Sequence, residues 1–175
     1  METQIATATK IINARADTIY NILADYRHGH PSILPRQYFL SMNVEEGGLG
    51  AGTVINFKMR LLGRTQSFHS IITEPQPGRF LVETELESKI PTSFHLVSIG
   101  KGDQSQLTIT TELEGKNAVE SFIAKWVLQQ VYREELELIT QASENPGTFR
   151  GSNLENKTSS PSFWPFLFRK TSEHD

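Results

Sequence analysis

Between Asn43 and Gly115 apolar and polar residues alternate in short segments, each ended by a turn-forming group. "TVINFKMRL" meets "RTQSFHSIITE" across Leu62-Gly63, and "PQPG" (Pro75 to Gly78) leads into "RFLVETELE". Pro91 opens "TSFHLVSI", and "GKGD" (Gly100 to Asp103) turns into "QSQLTITTELEG". A period of two puts alternate side chains on opposite faces of a strand, and turns at this spacing predict an antiparallel meander. Then the period changes. Residues 117–143 hold neither Gly nor Pro and read as one long helix. Strands followed by a single long helix make an α+β chain.

The stretch "EEGGLGAGTVINFKM" (Glu45 to Met59) opens the meander with four glycines in six residues. A dinucleotide fingerprint needs a third glycine, and Thr53 and Ile55 occupy the places it would take. No Gly-Lys-Ser/Thr comes after it, so a Walker loop is excluded too. Beyond the glycines the chain alternates as a strand does, with Ile55, Phe57 and Met59 set against Asn56, Lys58 and Arg60. The glycines are therefore read as a turn or bulge entering a strand.

Ahead of the meander, "QIATATKIINA" (Gln4 to Ala14) predicts a first strand. Asp17 is placed to cap a helix whose Ile19, Ile22, Leu23 and Tyr26 share one face. "HGHPSILP" (His28 to Pro35) is broken by two prolines and predicts a loop with at most a short helical turn. In the long helix, Val119, Phe122, Ile123, Trp126 and Val127 make one stripe, while Leu128, Val131, Tyr132, Leu136 and Ile139 make another, rotated around the axis. The offset predicts a bend near Gln129-Gln130 or a helix wrapped on two sides. After Glu144, "NPGTFRGSNLENKTSSPS" has the composition of a mobile linker, and "FWPFLFRK" (Phe163 to Lys170) interrupts it with aromatics. The expected organisation is one domain over residues 1–144 and a tail over 145–175.

A net charge of −3 lacks the concentrated positive surface of a non-specific nucleic-acid binder, so no nucleic-acid partner is expected. The chain has no cysteine, hence no disulfide, thiolate nucleophile or thiolate metal site, which suits a cytoplasmic location. The first residues lack the basic-then-apolar pattern of a secretory signal, and no apolar run is long enough to span a membrane.

The order of these pieces resembles the helix-grip fold of the SRPBCC superfamily, which includes START lipid-transfer domains and polyketide cyclase/dehydrase-like proteins. "INARADTIYNILADYRHGHPSILP" resembles the family's first strand, helix and Pro-rich wedge, and "GGLGAGTVINF" its glycine-rich entry to the sheet. "IITEPQPGRFLVE" resembles its turn before an Arg, and "ELITQASE" the end of its last helix. The resemblance implies a curved antiparallel sheet of six to seven strands around the long C-terminal helix, with a cavity between them for an apolar small molecule. The period of two then supplies an expected lining: Phe57, Met59, Phe68, Ile72, Val82, Phe94, Leu96, Leu107 and Ile109, with Phe122 and Trp126 from the helix. The implied function is binding or carriage of a lipid, isoprenoid or polyketide-like molecule, with no catalysis, cofactor or metal required. An aromatase/cyclase-type enzyme on the same cavity is the alternative.

Candidate chemistry is sparse. His28 and His30 crowd the wedge beside Arg27 and Tyr26, and the plain reading is a solvated polar loop. In the enzymatic alternative His30 is an acid/base aimed into the cavity, with Tyr26 and Arg27 beside it. As a metal pair, His28 and His30 want a third ligand that the sequence does not supply nearby. His69, His95, Glu83, Glu85, Lys58 and Arg60 are assigned to the outer face of the sheet, opposite in phase to the expected lining. No Ser-His-Asp order, zincin motif or nucleophile elbow occurs. The tail aromatics Phe163, Trp164, Phe166 and Phe168, followed by Arg169 and Lys170, suit self-association or peripheral membrane contact.

Overall fold

The computed structural model describes residues 3–114 and 118–151, with side chains for 4–113 and 122–151. Strand β1 (Thr3–Ile12) leads to helices α1 (Ala16–Ala24) and α2 (Gly29–Ser32). Six strands come next: β2 (Phe39–Glu46), β3 (Val54–Leu61), β4 (Arg64–Gln76), β5 (Phe80–Glu85), β6 (Pro91–Ile99) and β7 (Gln104–Glu114). Helix α3 (Ala118–Glu144) closes the fold. The strands form one antiparallel sheet of seven in the order β1-β7-β6-β5-β4-β3-β2. Thus β2 to β7 are the expected meander, and the first strand returns to pair with the last, Ala6 against Thr111 and Ile12 against Ser105.

Local chemistry explains the corners. Leu62 and Gly63 both have positive φ, 51° and 75°, which gives the two-residue hairpin the twist its strands need. Register shifts interrupt the β2–β3 and β4–β5 pairings, and such bulges bend the sheet toward α3. Asp17 does not cap α1. The helix begins one residue earlier, and the carboxylate instead accepts the Thr18 N–H and pairs with Arg15.

The core lies between the curved sheet and α3. Ile12, Ile55, Ile72, Leu81, Leu96, Leu107 and Ile109 point inward from the strands, and Val131, Leu136 and Ile139 meet them from the helix. Helix α3 rests on β1, β7 and α1, so the β2–β4 side of the sheet is less closely covered. The two stripes of α3 have different fates. The second is buried, whereas Phe122 and Trp126 of the first are 65% and 56% exposed and Ile123 is also exposed. Helical period fixes which residues share a face; it does not supply a surface to cover that face. Beyond α3 the first residues of the expected tail are held to the domain. Thr148 and Phe149 N–H groups donate to the Asn145 carbonyl, and the apolar ring of Phe149 packs against the core. The tail aromatics lie outside the described residues.

Candidate functional site

The glycine-rich stretch holds a corner of the fold. Leu49 bridges to Asp25, the Tyr26 N–H donates to the Gly48 carbonyl at 3.0 Å, and the Gly50 N–H donates to the Ala24 carbonyl at 2.9 Å. Gly48 sits at φ +121°, a backbone conformation that a residue with a Cβ rarely adopts, and the Arg27 side chain lies over the position a Cβ would take. Arg27 lies across this loop, donating to the Gly47 carbonyl, and is exposed. It does not reach the interior.

The clamped corner sends the next two rings inward. Tyr26 and His30 are both 1% exposed, and their rings stack with centroids 4.6 Å apart and planes 13° off parallel. His30 Nδ1 lies 2.8 Å from the Leu23 carbonyl oxygen, which can only accept, so Nδ1 carries the proton. Nε2 faces the cavity. It lies 3.5 Å from Oε1 of Glu83 on β5 and 4.0 Å from Oε1 of Glu135 on α3. The Tyr26 hydroxyl donates to the same Glu83 oxygen at 2.6 Å. Phe94 and His30 meet in a T-shaped pair with centroids 5.6 Å apart.

Beside this group the Tyr132 hydroxyl bonds to Thr111 Oγ1, which lies 2.7 Å from Thr92 Oγ1. Glu85 is occupied at the β5–β6 turn, where it accepts the Ser88 hydroxyl at 2.7 Å. Glu135 is different: 3% exposed, with no hydrogen-bond partner on Oε1. Burial, reinforced by the charge of Glu83, holds its carboxyl well above the usual carboxylate range. Burial likewise pushes the Tyr26 phenol up, with Glu83 adding to the effect.

These groups form one end of a cavity of about 90 Å³. The other end is apolar, with Phe39, Met42, Phe57, Met59, Leu61 and Phe68, and Phe57 stacks on Phe68 at 5.2 Å. Leu128 and Val131 of α3 form the roof. The volume is below the ~300–1,000 Å³ of ordinary ligand pockets. Uptake of a sizeable molecule therefore requires the wall to give, and the flexible Met42 and Met59 side chains are where it can.

Of the expected lining, Phe57, Met59, Phe68 and Phe94 face the cavity. Ile72, Leu96, Leu107 and Ile109 are buried in the core and do not line it. Val82, Phe122 and Trp126 do not line it either: Val82 lies on the outer face, and the two aromatics stand at the exposed start of α3.

On β5 the expected phase is reversed. Glu83 is registered against Ile72 and Thr92, both inward, so Glu83 and Glu85 belong to the inner face with Leu81. His69 and His95 do stand on the outer face, His69 against Glu45 at 2.6 Å and His95 edge-on to Phe80. The solvated-loop reading of the wedge holds for His28, which is exposed and turned toward Asp25 at 3.6 Å, and fails for His30. Glu135 is a site residue that sequence reasoning misses, although a signal for it exists: it falls within the second apolar stripe of α3, one turn beyond Tyr132.

A family model described as polyketide cyclase / dehydrase and lipid transport matches residues 3–144, and the chain belongs to this family. No curated protein matches. Among solved structures, the solution structure of KanY protein is 25% identical with a TM-score of 0.73, covering 83% of this chain and 100% of its own. The Zhui aromatase/cyclase from a Streptomyces species is 17% identical with a TM-score of 0.69, covering 82% of this chain and 94% of its own. A START superfamily protein from Mycobacterium smegmatis is 16% identical with a TM-score of 0.67, covering 81% of this chain and 98% of its own. The chain thus has the helix-grip fold of a family that takes up hydrophobic ligands. Among the described residues no helix is long and apolar enough to cross a membrane.

Proposed function

We propose that the protein binds and carries a hydrophobic or amphipathic small molecule in the cavity between sheet and α3, without transforming it. The observation that carries this reading is the division of the cavity wall into an aromatic and Met-rich end and a buried polar end. The first gives apolar burial at about 25 cal/mol per Å², and the second fixes orientation. Native mass spectrometry of protein purified from its own host tests it directly through the mass of a co-purified ligand. Phe57→Asp should strongly weaken uptake of a neutral apolar dye; unchanged uptake would sink the proposal.

A second reading, aromatase/cyclase-type chemistry on a polyketide-like substrate, draws support from His30, whose Nε2 faces the cavity beside Glu83 and the Tyr26 hydroxyl. A ring nitrogen so placed can take up or return a proton at a bound carbonyl compound. This reading expects His30→Ala to abolish turnover while binding persists.

Contact through the tail is a separate proposal. Phe163, Trp164, Phe166 and Phe168 would serve self-association or a membrane surface, and the exposed Phe122, Ile123 and Trp126 offer a second apolar patch in its favour. Deleting residues 152–175 should then change oligomeric state or vesicle binding; a truncated chain matching the parent in both would dismiss it. A cytoplasmic location completes the reading, suited by the cysteine-free sequence and tested by cell fractionation.

A further inference from the structure

We infer that the ligand carries a protonated amine at its polar end, seated against Glu83 and Glu135 beneath His30. This rests on the ligand-binding reading above and adds the chemistry of the ligand's head.

The titratable groups at this end of the molecule are Tyr26 and His30 from the α1–α2 corner, Glu83 and Glu85 from β5, and Tyr132 and Glu135 from α3. Among the described lining residues there is no Lys or Arg, and the one basic side chain facing Glu83 and Glu135 is His30, at 3.5 and 4.0 Å. A fatty acid, a phosphate ester or any other anionic head would bring a further negative charge into a buried acidic site, where it would be repelled.

The acceptors that remain point the same way. Glu135 Oε1 is buried with no hydrogen-bond partner, a situation that costs stability until a donor arrives. The Nδ1–H of His30 is committed to the Leu23 carbonyl, so Nε2 is the ring atom left to face a ligand. The two carboxylate oxygens lie 3.5 and 4.0 Å from Nε2, the scale over which one nitrogen bridges neighbouring acceptors. An ammonium group has three N–H donors and one positive charge. It satisfies Glu135 Oε1 and offsets the charge of Glu83 at once; a hydroxyl has one proton to give and no charge.

The apolar end limits the remainder of the molecule. Phe39, Phe57 and Phe68, with the pliable Met42 and Met59, suit a flat or aromatic body. Uptake should also displace a proton. Burial and the charge of Glu83 favour the protonated form of Glu135, whereas a cation beside it favours the ionised form, so amine binding should shift this carboxyl toward releasing its proton to the buffer.

The test is a matched series on the full-length protein at pH 7, using 4-phenylbutylamine, 4-phenylbutanol, 4-phenylbutyrate and butylbenzene, followed by calorimetry and by displacement of a neutral dye. The amine should bind at least about tenfold more tightly than the carboxylate, with the alcohol between. Its binding heat should vary with the ionisation enthalpy of the buffer. In Glu135→Gln the preference for the amine should shrink to about threefold or less while butylbenzene still enters. Glu83→Gln serves the same purpose if the first variant does not fold, as judged by circular dichroism. Carboxylate binding equal to amine binding, or an amine preference unchanged in both variants, overturns the inference and leaves the cavity reading intact. If butylbenzene also fails to enter, the cavity reading falls and this inference falls with it.

Discussion

The two ends of the cavity are built on opposite principles. At the apolar end, Phe57 and Phe68 are cross-strand neighbours on β3 and β4, and Met42 stands beside Phe57 on β2. All come from one continuous stretch of meander. At the polar end, Tyr26 and His30, Glu83, and Glu135 come from three distant parts of the chain and meet only when the corner, β5 and α3 are assembled. The first end tolerates adjustment, because apolar contacts are numerous and individually weak. The second does not, because each buried polar atom needs its particular partner. Shape adapts at one end, and chemistry is fixed at the other.

Four substitutions can break or sharpen that contrast. Phe94→Ala has the largest expected effect, because Phe94 is buried, packs T-shaped with His30 and is registered between Leu81 and Ile109, so it ties the polar end to the core. Loss of about 3–5 kcal/mol in urea unfolding is expected; a loss under ~1 kcal/mol would mean that the polar end is not tied to the core through this ring.

Phe57→Asp places a carboxylate in the apolar wall. It should weaken neutral dye uptake about a hundredfold, roughly 2.7 kcal/mol. Retained uptake would show that the apolar end is not where ligands lie.

Tyr26→Phe removes only the hydroxyl that donates to Glu83. A bond to a charged acceptor of this kind contributes about 1.5–3 kcal/mol, so thermal unfolding should shift down accordingly. No shift would mean that the polar end is as forgiving as the apolar one.

Glu135→Gln has the smallest effect at acid pH and the most diagnostic pH dependence. The unfolded chain ionises this group near its ordinary 4.5, whereas the folded protein holds the proton to higher pH. Between those two values the folded state binds more protons, so stability falls as pH rises. Through that window the variant should gain on the parent by about 1.4 kcal/mol per pH unit. A gap that stays constant from pH 5 to 8 would show that Glu135 is ionised in the fold.

The difference between the ends also decides what could be read from the sequence. The meander, the long helix and four of the lining residues follow from period and turn chemistry, because those are local properties. The phase of β5 was not legible. Phe80, Leu81 and Val82 are consecutive apolar residues, so alternation cannot choose a face, and the carboxylates after them look like outer-face residues until the register with Ile72 and Thr92 is known. The fate of Phe122 and Trp126 was hidden for a related reason, since a stripe on a helix says nothing of whether a sheet lies under it. His30 lay in a loop with every mark of a solvated segment. Only the clamp of Gly48 and Gly50 on the corner beneath it turns the ring inward.

The pairing of β1 with β7 carries a consequence for how the chain assembles. Thr7 meets Thr110 and Thr9 meets Thr108, so the first strand finds its neighbour only after nearly the whole sheet has been made. Closing a loop of that length costs chain entropy before any contact compensates for it. On the ribosome, residues 3–12 emerge first and wait, while β3 and β4 can pair across Leu62-Gly63 at once. Helix α3, which rests on β1 and β7, has no complete platform until that closure occurs. The cavity roof is therefore laid last. Pulsed hydrogen exchange during refolding should protect the β3–β4 hairpin first and the amides of β1 and α3 together and later; early protection of β1 would reverse that order.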